Sequence, residues 1–445
     1  MNSTDKKKYY IETYGCQMNV ADSEVVGSIM RDNGFEATRD IDSADLILVN
    51  TCSIRENAEQ RIWGRLDVFR QIKEKNSGVK VGVIGCMAER LKEKLIDKEK
   101  SVDLVIGPDA YRDLPKLIET TESGQKGVNT ILSKEETYGD IIPVRTDEKK
   151  ISAFISIMRG CNNMCSYCIV PFVRGRERSR EPGTIASEVK QLEQEGYKEI
   201  TLIGQNVDSY DWTDNNQKMD FAGLLEYIAT DFPSMRIRFS TSHPKDLSDN
   251  VLRVISRHQN ICRHIHLPVQ SGSTKILQQM NRGYSREWYM NRIDAIRKYI
   301  PDCEITTDIM TGFCGETEED HKETLSLMRY ANYDFAYMFK YSERPGTKAA
   351  RRMEDDVPEE IKKRRLNEVI ELQNTLSEEN KKKAVGKTFT VLIETVSKKS
   401  ELQYAGRNSQ NQVVVFPKED KNIGDFAEVK VNKSTPGTLI GEIVK

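Results

Sequence analysis

The chain has 445 residues, 38% of them hydrophobic and 31% charged, with a formal net charge of −2. No apolar run approaches the roughly 20 residues that a membrane helix needs, so the composition excludes a helical membrane protein and fits a soluble α/β one. At about 150 residues per domain the length implies two or three domains, and near-neutrality says nothing against nucleic acid, because a protein can be basic only where it touches phosphate.

The first residues, MNSTDKKKYYIETYG, pass straight into an alternating strand pattern with no apolar signal core, which sets the cytoplasm as the expected location. From residue 7 to 124 the strands KYYIETYG, DLILVNTC, VKVGVIGC and VDLVIG alternate with helical stretches such as ENAEQRIWGRLDVFRQIKEK. Such alternation builds a parallel sheet with helices on its faces. Three of these strands end at Cys16, Cys52 and Cys86. Ligands of open α/β sheets lie beyond the carboxyl ends of the strands, so these thiols can share one site. The alternative is three unrelated packing thiols, but a packing cysteine sits within its strand, whereas these stand in the polar settings YGCQMN, NTCSIREN and GCMAER.

A polar, charged stretch then reads as a surface linker. From 147 to 378 the rhythm resumes with AFISIMRG, EITLIGQNV, RIRFSTS, HIHLPVQS, EITTDIMTGF and DFAYMFKYS, implying a partial (β/α)6 barrel. Chemistry in barrels collects where strands end, which singles out Cys161, Gln205, Asn206, Ser242, His243, Gln270, Gly312 and Tyr341. Residues 381–445 change to short strands, TFTVLIETV, VVVF, FAEVKV and TLIGEIV, with turns at KNIG and TPG, as in a small β-barrel. This last module carries 12 Lys and Arg against 7 Asp and Glu, which fits RNA binding.

Nine cysteines are an odd number in a chain without a secretion signal, which favours metal or redox chemistry over disulfides. Cys161, Cys165 and Cys168 fall within eight residues just after the first barrel strand. Three thiolates so spaced can wrap a 4Fe-4S cluster, whereas zinc needs a fourth ligand from elsewhere. Cys262, Cys303 and Cys314 have no partner at cluster spacing and read as packing residues.

The segments ETYGCQMN, NTCSIRENAE, GCMAER, RGCNNMCSYCIVPFVRGRERSR, LIGQNV, LPVQSGS and YSERPGTKAA together resemble the radical S-adenosylmethionine methylthiotransferase family over nearly the whole chain. LIGQNVDSY, HLPVQSGSTKIL and GRNSQNQVVVF resemble its branch that thiomethylates carbon 2 of N6-dimethylallyladenosine in tRNA. The resemblance implies an auxiliary 4Fe-4S cluster on Cys16, Cys52 and Cys86, a radical 4Fe-4S cluster on Cys161, Cys165 and Cys168, and a C-terminal TRAM domain. It further implies two S-adenosylmethionine molecules per turnover, one giving methyl to sulfur on the auxiliary cluster and one supplying the radical that removes hydrogen from the substrate carbon. It implies an anticodon stem-loop substrate and a flavodoxin or ferredoxin as electron donor, and the expected oligomeric state is a monomer. Other branches modify threonylcarbamoyladenosine or a ribosomal-protein aspartate, and a non-catalytic RNA-binding zinc protein is the reading from another class. GFCGET departs from the family's GFPGET at Cys314, which leaves a thiol near the expected site rim.

Polar residues at a barrel mouth suit the charged ends of S-adenosylmethionine, so Gln205, Asn206, Ser242, Gln270 and Glu316 are cofactor candidates. In RGRERSR, Arg174, Arg176, Arg178 and Arg180 alternate and would share one face of an extended strand. Bidentate guanidinium contacts with phosphate make that strip a tRNA candidate; internal ion pairing is the alternative. Modification also needs an exposed base, which an anticodon loop offers.

Overall fold

The computed structural model describes residues 6–52, 56–145, 147, 149–214 and 217–444. Residues 53–55 of the NTCSIRENAE segment lie outside the described residues, as do residues 215 and 216.

The N-terminal sheet has six parallel strands in the order β2-β1-β3-β4-β5-β6. They are β1 (Lys8–Thr13), β2 (Glu36–Ala37), β3 (Leu46–Thr51), β4 (Lys80–Gly85), β5 (Leu104–Ile106) and β6 (Gly127–Asn129). Every residue of β3 is buried, as befits a central strand covered on both sides. Ile47, Val49, Val81 and Val83 pack into one core and Leu46, Leu48, Ile84 and Leu104 into the other. Two strands exceed the sequence expectation: β2 is only two residues long, and β6 lies past the boundary expected at residue 124. The stretch expected to be a surface linker is instead strapped to this unit. Tyr138 is buried, and the Val144 amide donates to the Ser28 hydroxyl and to the Glu24 carbonyl.

The central unit contains all six expected strands: β7 (Ser152–Ser156), β10 (Glu199–Ile203), β13 (Arg236–Ser240), β14 (His264–His266), β15 (Glu304–Thr311) and β16 (Phe335–Lys340). They form two parallel three-stranded sheets, β13-β10-β7 and β14-β15-β16, joined by a bridge between Ile237 and Ile261. The result is an open six-stranded arc with β7 and β16 at its edges. Side chains alternate as strands dictate: Ile200, Leu202, Ile237, Ile265, Ile305 and Ala336 pack outward into the helical layer. From β10 to β15 the inner face is polar, with Glu199 paired to Arg236 and Arg238, and Thr306 bonded to His264 and His266. Two short pairings decorate the arc. β8 (Met158–Arg159) pairs antiparallel with β9 (Arg178–Ser179), bracketing the cysteine loop, and β11 (Asp211–Asp214) forms a hairpin with β12 (Gln217–Asp220).

The long helix Glu359–Lys382 closes the arc behind β16, burying Lys362, Arg365, Val369 and Gln373. The C-terminal module is a closed five-stranded barrel in the order β17-β18-β19-β21-β20, one strand more than the sequence suggests. Its strands are β17 (Thr388–Ser397), β18 (Ser400–Arg407), β19 (Val413–Pro417), β20 (Phe426–Ser434) and β21 (Leu439–Ile443). The turn after β18 plugs the amino-terminal end of the arc: Arg236 donates to the Arg407 carbonyl at 2.9 Å, Arg238 to the Asn408 carbonyl at 2.7 Å, and Ser409 accepts from the Arg263 amide. GRNSQNQ is thus a docking segment between modules. Among the described residues, no helix is long and apolar enough to cross a membrane.

Candidate functional site

Register brings the N-terminal cysteines together. β3 and β4 pair with Thr51 beside Gly85, so Cys52 and Cys86, each the next residue, leave the sheet side by side. Cys16 arrives from the neighbouring strand as the N-cap of α1 (Gln17–Asp32). The close approach requires glycine at position 15, where φ is +135° and a Cβ would fall 2.6 Å from the Cβ of Cys52. A hydrogen bond with Cys52 and the charge of Arg174 draw the Cys16 thiol down to about 6, while burial pushes Cys86 up.

The second trio sits on the loop between β8 and α6 (Val170–Arg174). Gly160, at φ +81°, precedes it where a Cβ would lie 1.9 Å from the Arg176 carbonyl oxygen, so only glycine lets the loop start here. Burial pushes Cys161 up to about 11 and Cys168 up to about 12. A coordinating cation reverses that cost, because it favours the thiolate outright. Arg282 supplies a buried positive charge at this loop, its Nη1 3.3 Å from Cys165 Sγ. The sequence held no local sign of Arg282, which comes from more than a hundred residues away. Among the described residues, no three His, Cys, Asp or Glu side chains close around a single ion. A cubane needs no such closure, since each of its thiolates binds a different iron.

The two trios are carried by segments that pack against each other. Cys86 packs with Ile169 and Val173, in the turn of chain that directly follows Cys168. Arg174, at the end of the same helix, donates through Nε to Cys86 Sγ at 3.1 Å.

That contact corrects the expectation of an RNA-facing arginine strip. Arg174, Arg178 and Arg180 are buried, and Arg176 alone of the four is exposed. Arg174 Nη2 lies 2.8 Å from Asp22, Arg178 Nη2 lies 2.9 Å from Asp109, and Arg180 pairs with Glu188. Arg159, on β8, also reaches Asp22 at 2.8 Å. Arg159, Arg174 and Arg178 are the central unit's half of a clamp whose carboxylates Asp22 and Asp109 belong to the N-terminal unit, whereas Arg180 pairs within the central unit. Desolvation explains the arrangement, since a buried guanidinium persists only when paired.

At the carboxyl ends of β10 and β13, buried polar atoms stand without protein partners: Asn206 Oδ1 and His243 Nε2, with Asn163 Nδ2 from the cysteine loop, while the buried Asp208 and Ser242 side chains pair with each other. The remaining atoms of these side chains are held in place. Asn206 Nδ2 donates to Asp246 at 2.7 Å, the His243 amide donates to Asp208, and Lys245 donates to Asn163 Oδ1 at 2.8 Å. Burial pushes Asp208 up to about 7 and His243 down to about 2, so the imidazole is neutral. Orphaned buried donors and acceptors beside the cysteine loop fit a polar ligand that completes them. Asn206 and Ser242 were expected here; Asn163 and Asp208 were not. Gln205 instead accepts from the Gly160 amide at 2.5 Å, which secures the loop's first residue. Gln270 is buried at φ +70°, its backbone bridging to β15. Glu316 accepts from the Gly312 amide and from Arg365, both at 2.9 Å, so its Oε1 serves the GFCGET turn. Cys314 is buried among Phe313, Met280 and Tyr341 and does not stand at an open rim; Cys262 and Cys303 are buried as well.

Three family models match the chain: the uncharacterized protein family UPF0004 over residues 8–107, the radical SAM superfamily over 155–328 and the TRAM domain over 382–444. The tRNA-2-methylthio-N(6)-dimethylallyladenosine synthase of Parabacteroides distasonis is 56% identical over 442 residues, covering 99% of this chain and 96% of that one. The protein of the same name from Amoebophilus asiaticus is 55% identical over 452 residues, covering 99% and 93%. Among solved structures, the radical S-adenosylmethionine methyltransferase TsrM from Kitasatospora setae, with cobalamin and a [4Fe-4S] cluster bound, superposes with a TM-score of 0.61. That match has 13% identity over 78% of this chain and 77% of the other, a likeness of fold alone.

Proposed function

The chain belongs to the tRNA-2-methylthio-N(6)-dimethylallyladenosine synthase family, and from that premise we propose that it methylthiolates carbon 2 of N6-dimethylallyladenosine beside the anticodon of tRNA. The observation that carries the reading is the juxtaposition of two cysteine trios, with Cys86 packed on the helix that follows Cys168 and bonded to Arg174 at its end. Its cofactors are two 4Fe-4S clusters and S-adenosylmethionine, which supply methyl transfer to sulfur and the hydrogen-abstracting radical.

We assign Cys16, Cys52 and Cys86 to the auxiliary cluster and Cys161, Cys165 and Cys168 to the radical cluster. Arg174 and Arg282 place a positive charge against one sulfur of each trio, which stabilises the anionic thiolate that a cluster requires. Asn163, Asn206 and His243 present the orphaned atoms that, beside the Asp208–Ser242 pair, would orient S-adenosylmethionine, and the neutral His243 presents no second cation to a sulfonium. The work divides between a module at 7–124 extended through β6, a radical core at 147–378 and an RNA-binding module at 381–445. A low-potential flavodoxin or ferredoxin supplies electrons to a cytoplasmic, monomeric enzyme.

The test is anaerobic turnover of the reconstituted protein with S-adenosylmethionine, reductant and an anticodon stem-loop bearing dimethylallyladenosine or adenosine, read by nucleoside mass. Methylthio product from the dimethylallyl substrate alone supports the assignment. 5′-Deoxyadenosine without that product would move the substrate to threonylcarbamoyladenosine or a protein aspartate. Zinc in place of iron and acid-labile sulfide would sink the enzyme reading.

A further inference from the structure

The edge strand β16 carries three aromatic residues on its inner face, Phe335, Tyr337 and Phe339, which are 45%, 49% and 43% exposed. Its other face is ordinary core: Ala336 is buried and Met338 packs against the helical layer. Strand alternation places the three side chains along the arc's inner wall, where the Phe335 and Tyr337 rings meet edge-to-face at 5.0 Å and each of the three keeps close to half of its surface exposed. So much exposed aromatic surface along one edge strand of an open arc marks a binding face.

The neighbours of this row narrow the occupant. Tyr337 pairs across the sheet with Asp308, and the His266 ring stands edge-on to it at 5.7 Å. His266 Nε2 is 3.5 Å from Asp308 Oδ1, and both side chains are partly exposed. Flat apolar faces beside a donor–acceptor pair suit a nucleobase, which offers a π-face and a hydrogen-bonding edge at once. A lipid or an aliphatic peptide would use the rings and leave the pair unsatisfied. The row also leads to the cysteines: just beyond β16, Tyr341 packs edge-on against Phe313 at 5.0 Å, and Phe313 meets Tyr167 of the cysteine loop at 6.3 Å.

Resting on the tRNA reading above, we propose that Phe335, Tyr337 and Phe339 are the stacking wall for the extruded purine and its apolar N6 substituent, with His266 and Asp308 reading a base edge. They are positioning residues that hold the purine below the cluster loop. A base extruded from its loop loses its stacking partners, and an aromatic wall restores them.

The measurement uses reconstituted holoenzyme and three stem-loops carrying dimethylallyladenosine, adenosine or an abasic site at the same position, with Kd read by fluorescence anisotropy. Tyr337→Ala and Phe339→Ala each weaken the dimethylallyl stem-loop about tenfold and leave the abasic one unchanged, while Tyr337→Phe retains affinity. Iron content and thermal unfolding verify that each variant is folded. Affinities for the dimethylallyl stem-loop within about twofold of the parent, or an equal loss on the abasic one, would overturn the proposal. Should the parent enzyme make no methylthio product while these variants still lose affinity, the substrate reading fails and the stacking wall stands.

Discussion

Replacing Asp22 by asparagine removes one negative charge from the seam between the N-terminal sheet and the central arc while keeping the side chain's shape. Asp22 is fully buried and lies 2.8 Å from both Arg159 and Arg174. Those two guanidiniums hold its carboxyl below the usual value of 3.8 against the opposing cost of burial. A depressed folded pKa means that the stabilisation is present above the unfolded value and is lost as pH falls through the folded one. Between about pH 5 and 8 it is therefore fully expressed. Asp22→Asn leaves two buried cations facing each other, and breaking a buried pair in this way costs about 3–5 kcal/mol. Urea denaturation at pH 7 followed by tryptophan fluorescence measures the loss. Asp22→Asn combined with Arg159→Met recovers part of it, because apolar replacement of a buried charge is near neutral. A loss under about 1 kcal/mol, the range of surface pairs, would refute the idea that this network holds the two units together.

Cys161→Ala, Cys165→Ala or Cys168→Ala abolishes 5′-deoxyadenosine formation, whereas Cys16→Ala, Cys52→Ala or Cys86→Ala spares some cofactor cleavage and abolishes sulfur insertion; chromatography of the nucleosides separates the two patterns, and intact product yield without Cys52 contradicts the auxiliary assignment. Gly160→Ala loses the radical cluster, because its Cβ collides with the Arg176 carbonyl, and iron content drops from two clusters toward one. Asp208, raised to about 7 by burial, favours the protonated form when folded, so its contribution to stability falls as pH rises from about 4 to 7. Asp208→Asn accordingly gains more stability over the parent at pH 8 than at pH 5.5 in thermal unfolding. Arg238→Met removes the bond to the Asn408 carbonyl and loosens the C-terminal barrel, so limited proteolysis releases that module faster than from the parent.

The sequence was sufficient wherever the information is local. The CxxxCxxC spacing needs only eight residues, and the period-two patterns of six arc strands depend on each strand's own side chains. The weakly patterned SELQYAGR escaped notice as β18 because its half-exposed residues alternate little; only pairing with β17 and β19 makes it a strand. The alternating arginines were legible as a pattern but not in their role. Their partners Asp22 and Asp109 lie 152 and 69 residues away for Arg174 and Arg178, and burial follows from that distant match of charge. The orphaned polar atoms at Asn206 and His243, the Arg282 contact to Cys165 and the exposed row on β16 have the same origin. Covalent spacing fixes what a few neighbouring side chains can hold, whereas desolvation and charge pairing depend on which remote segments the fold lays against them, and that was decided by the tertiary structure alone.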